Sequence, residues 1–227
     1  FVRGLGDRYN SSTLNGLALP SEDPLNKNIS LDFFGTDIIQ SIAVNKTLNS
    51  TILGDVAGAN IDINSKELTE NAFVEVGVSS GVNTQTIGAD NFNRVSGTSW
   101  SGALKESSYN ISDLARYDFK NGWDGQNAKN LINSSFKISG GKKFQVGNGN
   151  LDVFLTGSMN SEYRYIDGFI KQTTNAGAIF QDQSMTKSQY NVSKTGLASV
   201  KYNFGRNNFI AFNSLFINDQ NQEYSNY

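Results

Sequence analysis

The feature that most restricts this chain is a two-residue alternation that runs from Leu151 to Asp167. Its odd positions are Leu151, Val153, Leu155, Gly157, Met159, Ser161, Tyr163 and Tyr165. Its even positions are Asp152, Phe154, Thr156, Ser158, Asn160, Glu162, Arg164 and Ile166. Side chains of a strand alternate between its faces, so the pattern predicts one long strand with an apolar face, ending in two tyrosines, and a mostly polar face. An ordinary strand has only about 5–6 residues. A strand of about 9–11 residues, tilted, crosses a bilayer, and aromatic residues mark where such a face meets the membrane surface.

Other segments follow the rule less cleanly. Ala72, Val74, Val76 and Val78 alternate with Phe73, Glu75, Gly77 and Ser79. Ile132, Ser134, Phe136 and Ile138 alternate with polar neighbours, as do Ala198, Val200, Tyr202 and Phe204. The run 209–217 is apolar on both faces. Residues 140–150 and 205–208 read as short turns, and between them lie long polar stretches at about 83–129 and 168–194. Short turns at one end and long loops at the other are the asymmetry of an outer-membrane barrel. In a compact soluble domain, structureless loops above about 15 residues would be suspect. The expectation for residues 70–227 is therefore the first strands, about five, of a transmembrane antiparallel β-barrel with those two stretches as extracellular loops. Five strands cannot close a plugged barrel, for which about 22 are needed. Open edges in lipid would leave backbone groups unsatisfied. The sequence, which opens at Phe1 in what reads as the middle of a domain, is accordingly expected to be a fragment.

Residues 1–69 have a different grammar, that of a small α/β unit. Thr13-Leu14-Asn15-Gly16-Leu17-Ala18 reads as two short strands around a turn, because Asn-Gly tolerates the positive φ of a type I′ hairpin. A polar loop follows at 20–27, then a short helix or helical turn expected over 31–39, a strand at 41–44, a small-residue patch from Gly54 to Ala59 and a strand at 60–63.

Composition narrows the chemistry. The 227 residues contain no cysteine and no histidine. Disulfides, thiolate metal sites and the commonest general base are thereby removed. No carboxylates have calcium-loop spacing, no G-x-S-x-G motif is present, and Gly4-x-Gly6 lacks the rest of a dinucleotide fingerprint. With Lys+Arg 19 against Asp+Glu 21, no basic face is available for nucleic acid. Neither enzymatic activity, a metal nor a cofactor is expected. No apolar run approaches the roughly 18 residues of a transmembrane helix, a test that does not bear on barrel strands.

The first 66 or so residues carry a resemblance. Val2-Arg3-Gly4-Leu5-Gly6-Asp7-Arg8-Tyr9-Asn10 and Thr13-Leu14-Asn15-Gly16-Leu17-Ala18-Leu19-Pro20 resemble the later part of the plug domain of TonB-dependent outer-membrane receptors. So do Leu31-Asp32-Phe33-Phe34, Ser41-Ile42-Ala43-Val44-Asn45-Lys46-Thr47 and Gly54-Asp55-Val56-Ala57-Gly58-Ala59-Asn60-Ile61-Asp62-Ile63. Ala59 departs from that family's second glycine. The resemblance implies a plug (1–69) in the lumen of the barrel, gated import driven by TonB through a segment outside this chain, and contact with outer-membrane lipid. It implies a small-molecule or oligosaccharide substrate (a metal–siderophore chelate or a cobalamin-like cofactor being further examples) and room for a surface lipoprotein partner. With the Asn15-Gly16 turn towards the periplasm, Asp7, Arg8, Tyr9, Asn10, Ser21, Glu22 and Asp23 become candidate ligand-facing residues, against the alternative that each is a solvated loop residue. Arg3 and Lys46 become candidates for plug–barrel ion pairs, since a buried charge is tolerated only when paired. The competing reading is a barrel that transports nothing and acts as a surface interaction protein, or as a component or client of a larger outer-membrane assembly.

Overall fold

The computed structural model describes residues 5–21, 29–31, 34–36, 38–47, 49–50, 52–94, 100–101, 125–205 and 207–227. The fold is mainly β. A first sheet contains β1 (Ser11–Leu14), β2 (Leu17–Ala18), β3 (Ile39–Asn45) and β4 (Asn60–Ser65), in the order β2-β1-β4-β3. β1 and β2 form the hairpin predicted at Asn15-Gly16, and both turn residues have positive φ, 51° and 80°. The turn is held in place by β4: Ser65 N–H donates to the Asn15 side-chain oxygen at 2.9 Å, and Gly16 N–H donates to the Asp62 carboxylate at 2.9 Å. β1 runs parallel to β4, and β3 runs antiparallel to it. All four residues of β1 are buried although three carry hydroxyls. The Ser11 hydroxyl donates to Asn60, and the Thr13 hydroxyl to Asp62, at 2.7 and 2.6 Å, so those donors keep partners out of water.

Before β3 begins at Ile39, the described residues of 31–39 make helical turns: Phe34 N–H bonds to Leu31 O and Ile38 N–H to Gly35 O. Phe34 and Ile38 are buried. Ile39-Gln40-Ser41-Ile42, which follow, suit a strand better than a helix.

The second sheet contains five strands, the number expected: β5 (Ala72–Gly81), β8 (Asn133–Val146), β9 (Gly149–Thr173), β10 (Ile179–Phe204) and β11 (Asn208–Asn226), ordered β11-β10-β9-β8-β5. Between β5 and β8 lie a one-turn helix, α1 (Thr84–Ile87), and the paired β6 (Asn93–Arg94) and β7 (Gln126–Asn127). Tight turns with Gly147 and Gly205 at positive φ join β8 to β9 and β10 to β11, so those neighbours are antiparallel. β5 opposes β8 in the same sense: Lys143 N–H meets Asn71 O, while Lys137 meets Glu75. The sheet is open, with β5 and β11 at its edges, and no closed barrel forms among the described residues.

Two expectations about its connections need correction. The turn read over 140–150 is only Gly147 and Asn148, since β8 continues to Val146. The stretch 168–194, read as a loop, is mostly strand: β9 reaches Thr173, β10 begins at Ile179, and Thr174 N–H closes the turn on Ala178 O. Composition marks where an apolar face ends. The backbone ladder needs no apolar residue and runs on past that point.

The chain divides into two compact units that cut across the five long strands rather than separating at residue 69. The first is Phe1–Val76, Lys137–Ser158 and Lys194–Ile217; the second is Gly77–Phe136, Met159–Ser193 and Asn218–Tyr227. In the first, Ile38 and Leu68 pack with Phe154 and Leu197, and Leu215 and Ile217 pack against Leu14, Phe34 and Ile63. In the second, the core is Phe92, Leu131, Tyr163, Tyr190 and Val192.

Candidate functional site

In the first unit the strands present two unlike faces. One carries Val74 and Val76 of β5, Ile138 and Phe144 of β8, Leu155 of β9, and Ile210, Phe212 and Phe216 of β11. All are exposed, Val74 at 80% and Leu155 at 55%. The intervening positions form the other face, which residues of the smaller sheet and its connections cover in part, leaving Glu75 and Phe209 of the edge strands exposed. Phe154 and Leu197 lie there beneath Ile38 and Leu68. Around them are polar contacts: Lys137–Glu75 at 3.1 Å, Lys201–Glu67 at 3.0 Å, Ser158–Thr195 at 2.7 Å, and the Lys143 ammonium on Thr69 O at 3.1 Å. Close approach of this cover depends on Gly141, where a Cβ would lie 2.6 Å from Leu68. Folding in water ordinarily leaves no contiguous apolar face this broad exposed.

Aromatic residues mark the end of the exposed face next to the Gly147 and Gly205 turns. The rings of Tyr202 and Phe204 stack at 5.8 Å, and the Tyr202 hydroxyl donates to Val146 O at 3.2 Å. The Tyr202 ring lies over Gly149, where a Cβ would meet it at 3.0 Å. Lys142 places its ammonium 5.2 Å from the Phe144 ring centre.

Of the candidate ligand residues, Asp7, Arg8 and Tyr9 form a single 3-10 turn. Arg8 and Tyr9 are exposed, with the guanidinium 5.3 Å from the ring centre. Asn10 does not join them. It is 3% exposed, and its side-chain oxygen accepts Ala59 N–H at 3.0 Å, which makes it a brace between β1 and the approach to β4. A Cβ on Gly58 would strike that oxygen at 2.2 Å, so the small residue there makes room for Asn10. Ser21 is half-buried and has interaction partners. Glu22, Asp23 and Arg3 lie outside the described residues. Lys46, expected in a buried ion pair, is exposed at the end of β3, where it lines a cleft of about 310 Å³ with Ile52, Val56 and Ala59. Among the described residues no carboxylate pairs with it.

The tyrosines read as membrane-surface markers also need correction. Tyr163 is buried, packed on Tyr190 at 4.5 Å with the rings tilted by 32°, and met edge-on by Phe92 at 5.7 Å. The Arg94 guanidinium lies 4.0 Å from the Tyr190 ring centre, and the Tyr190 hydroxyl donates to Trp100 O. On β9 the covered positions are even near Phe154 and Thr156, but odd at Ser161 and Tyr163. Alternation shows which residues share a face and is silent on which face is covered. The second unit also holds a cleft of about 330 Å³ that sequence reasoning missed, lined by uncharged hydrogen-bonding groups that include Asn91, Asn93, Asn127, Ser188 and Tyr224. Its residues come from five separate segments, and no spacing in the sequence links them.

No family model, no curated protein and no solved structure matches this chain.

Proposed function

We propose that the chain is part of a TonB-dependent outer-membrane receptor that imports a scarce, bulky nutrient. In this reading residues 1–69 are the later part of its plug, and β5 and β8–β11 are strands of its wall. One observation carries the proposal: in the first unit one face of the long-stranded sheet is broadly apolar and exposed, while the partly exposed ion pairs and the hydroxyl contacts lie on the opposite face. A lipid-facing wall around a lumen that accepts polar contacts has this asymmetry, and the segment packed on the opposite face is the one whose sequence resembles a plug.

The contacts suit a plug that must move. Ion pairs such as Lys201–Glu67 are partly exposed, and such pairs contribute only about 0–1 kcal/mol each, so they can be exchanged for water at small cost. Arg8 and Tyr9, exposed together, offer a cation and an aromatic ring to substrate. The test is uptake by a strain lacking the gene, supplied in turn with defined iron, cobalamin and glycan sources. Restoration of one nutrient by the wild-type gene, lost when TonB is absent, is the expected result. Uptake of every nutrient unchanged by the deletion would sink the proposal and favour a surface interaction protein.

A further inference from the structure

We propose that the exposed face of β5, β8 and β9 holds one glycerophospholipid, with an acyl chain in an apolar groove and its phosphate on Lys142. The inference rests on the membrane reading above. The groove has a volume of about 820 Å³, and its lining includes Val74, Ile138, Phe144, Val153 and Leu155. Gly140 and Gly157 also line it. Without side chains at those two positions, the larger neighbours stand up around a trough.

Two lysines, Lys142 and Lys194, take described outward positions of the first unit. Lys142 lines the groove, where its neighbours on β8 are Gly140 and Phe144, whereas the half-buried Lys194 of β10 is not part of that lining. Lysines of the covered face each have an acceptor: Lys137 has Glu75, Lys201 has Glu67 and Lys143 has Thr69 O. Lys142 is exposed, and among the described residues no carboxylate pairs with it. A lysine facing lipid is unfavourable at the bilayer centre and tolerated near its surface, where the ammonium can reach a phosphate. Along β8, Lys142 and Phe144 stand on the side of Gly140 towards the tight turn at Gly147. Short turns of such barrels face the periplasm, which puts the cation at the headgroup end of the groove and the glycines deeper. Lipid tails are as apolar as the groove, so transfer from water adds nothing here. What distinguishes a retained lipid is close packing in the trough and a charge-assisted contact at its end.

The full-length protein, purified in mild detergent and exchanged into nanodiscs of phosphatidylglycerol, is examined by native mass spectrometry after release from the disc. Wild-type protein is expected to retain one phosphatidylglycerol. Lys142→Leu, which keeps the face apolar, should lower retention about tenfold, the loss of one charge-assisted contact. Gly157→Leu should fill the trough and do the same; a Cβ there meets nothing closer than Thr195 O at 3.8 Å, so the strand itself accommodates it. Lys129→Gln, an exposed lysine of the second unit, serves as the control and should change nothing. Retention unaltered in both groove variants, or equal retention of uncharged diacylglycerol by the wild type, would overturn the inference. A detergent-requiring protein that keeps no phospholipid overturns the lipid site alone, whereas release from membranes without detergent overturns the membrane reading itself.

Discussion

At the scale of single residues, Asn10 is buried where Arg8 and Tyr9 of the same loop are exposed. Asn10 supplies a buried acceptor to Ala59 N–H. Asn10→Ala leaves that donor unsatisfied and should cost about 1–3 kcal/mol of stability while substrate affinity stays unchanged; thermal unfolding and a substrate titration on the same preparation check both halves. Arg8→Ala and Tyr9→Ala should do the opposite, weakening binding by about tenfold, as a removed contact residue does, with little change in unfolding temperature. Sequence located the loop and not this division, because Asn10 looks as polar as its neighbours and its burial depends on Gly58 and Ala59, 48 and 49 positions away. Leu155 tests the exposed face in the same way. In water, an exposed Leu→Arg change is usually worth within about 0.5 kcal/mol. Facing lipid, it should cost about 2–4 kcal/mol near the bilayer centre and deplete folded protein in the outer membrane.

At the scale of elements, what could be read from the sequence was set by how much a segment depends on its own residues. The Asn15-Gly16 hairpin was legible because two adjacent positions must take positive φ, and both do. The cores of β5, β8, β9 and β10 were legible from alternation. The halves of β9 and β10 that belong to the second unit were not, since polar residues on both faces conceal a strand whose order comes from its neighbours' backbone. The Tyr163–Tyr190 contact was not either, because its cover comes from Phe92 and Leu131, far away in the chain.

At the scale of the whole molecule, the account turns on one asymmetry, a broad exposed apolar face on one side of the sheet and the packed cover with its polar contacts on the other, seen in the first unit. Composition alone leaves this hidden: a chain with 37% hydrophobic residues and 18% charged ones looks ordinary. Only the alternation of the strands sorts those residues onto separate faces, and only the packed cover on one face shows which is which. The most direct measurement is fractionation of cells that express the full-length protein, with membranes washed in carbonate and then extracted with detergent. The account expects the protein in the outer-membrane fraction, resistant to carbonate and released by detergent alone. Recovery in the carbonate wash would contradict it.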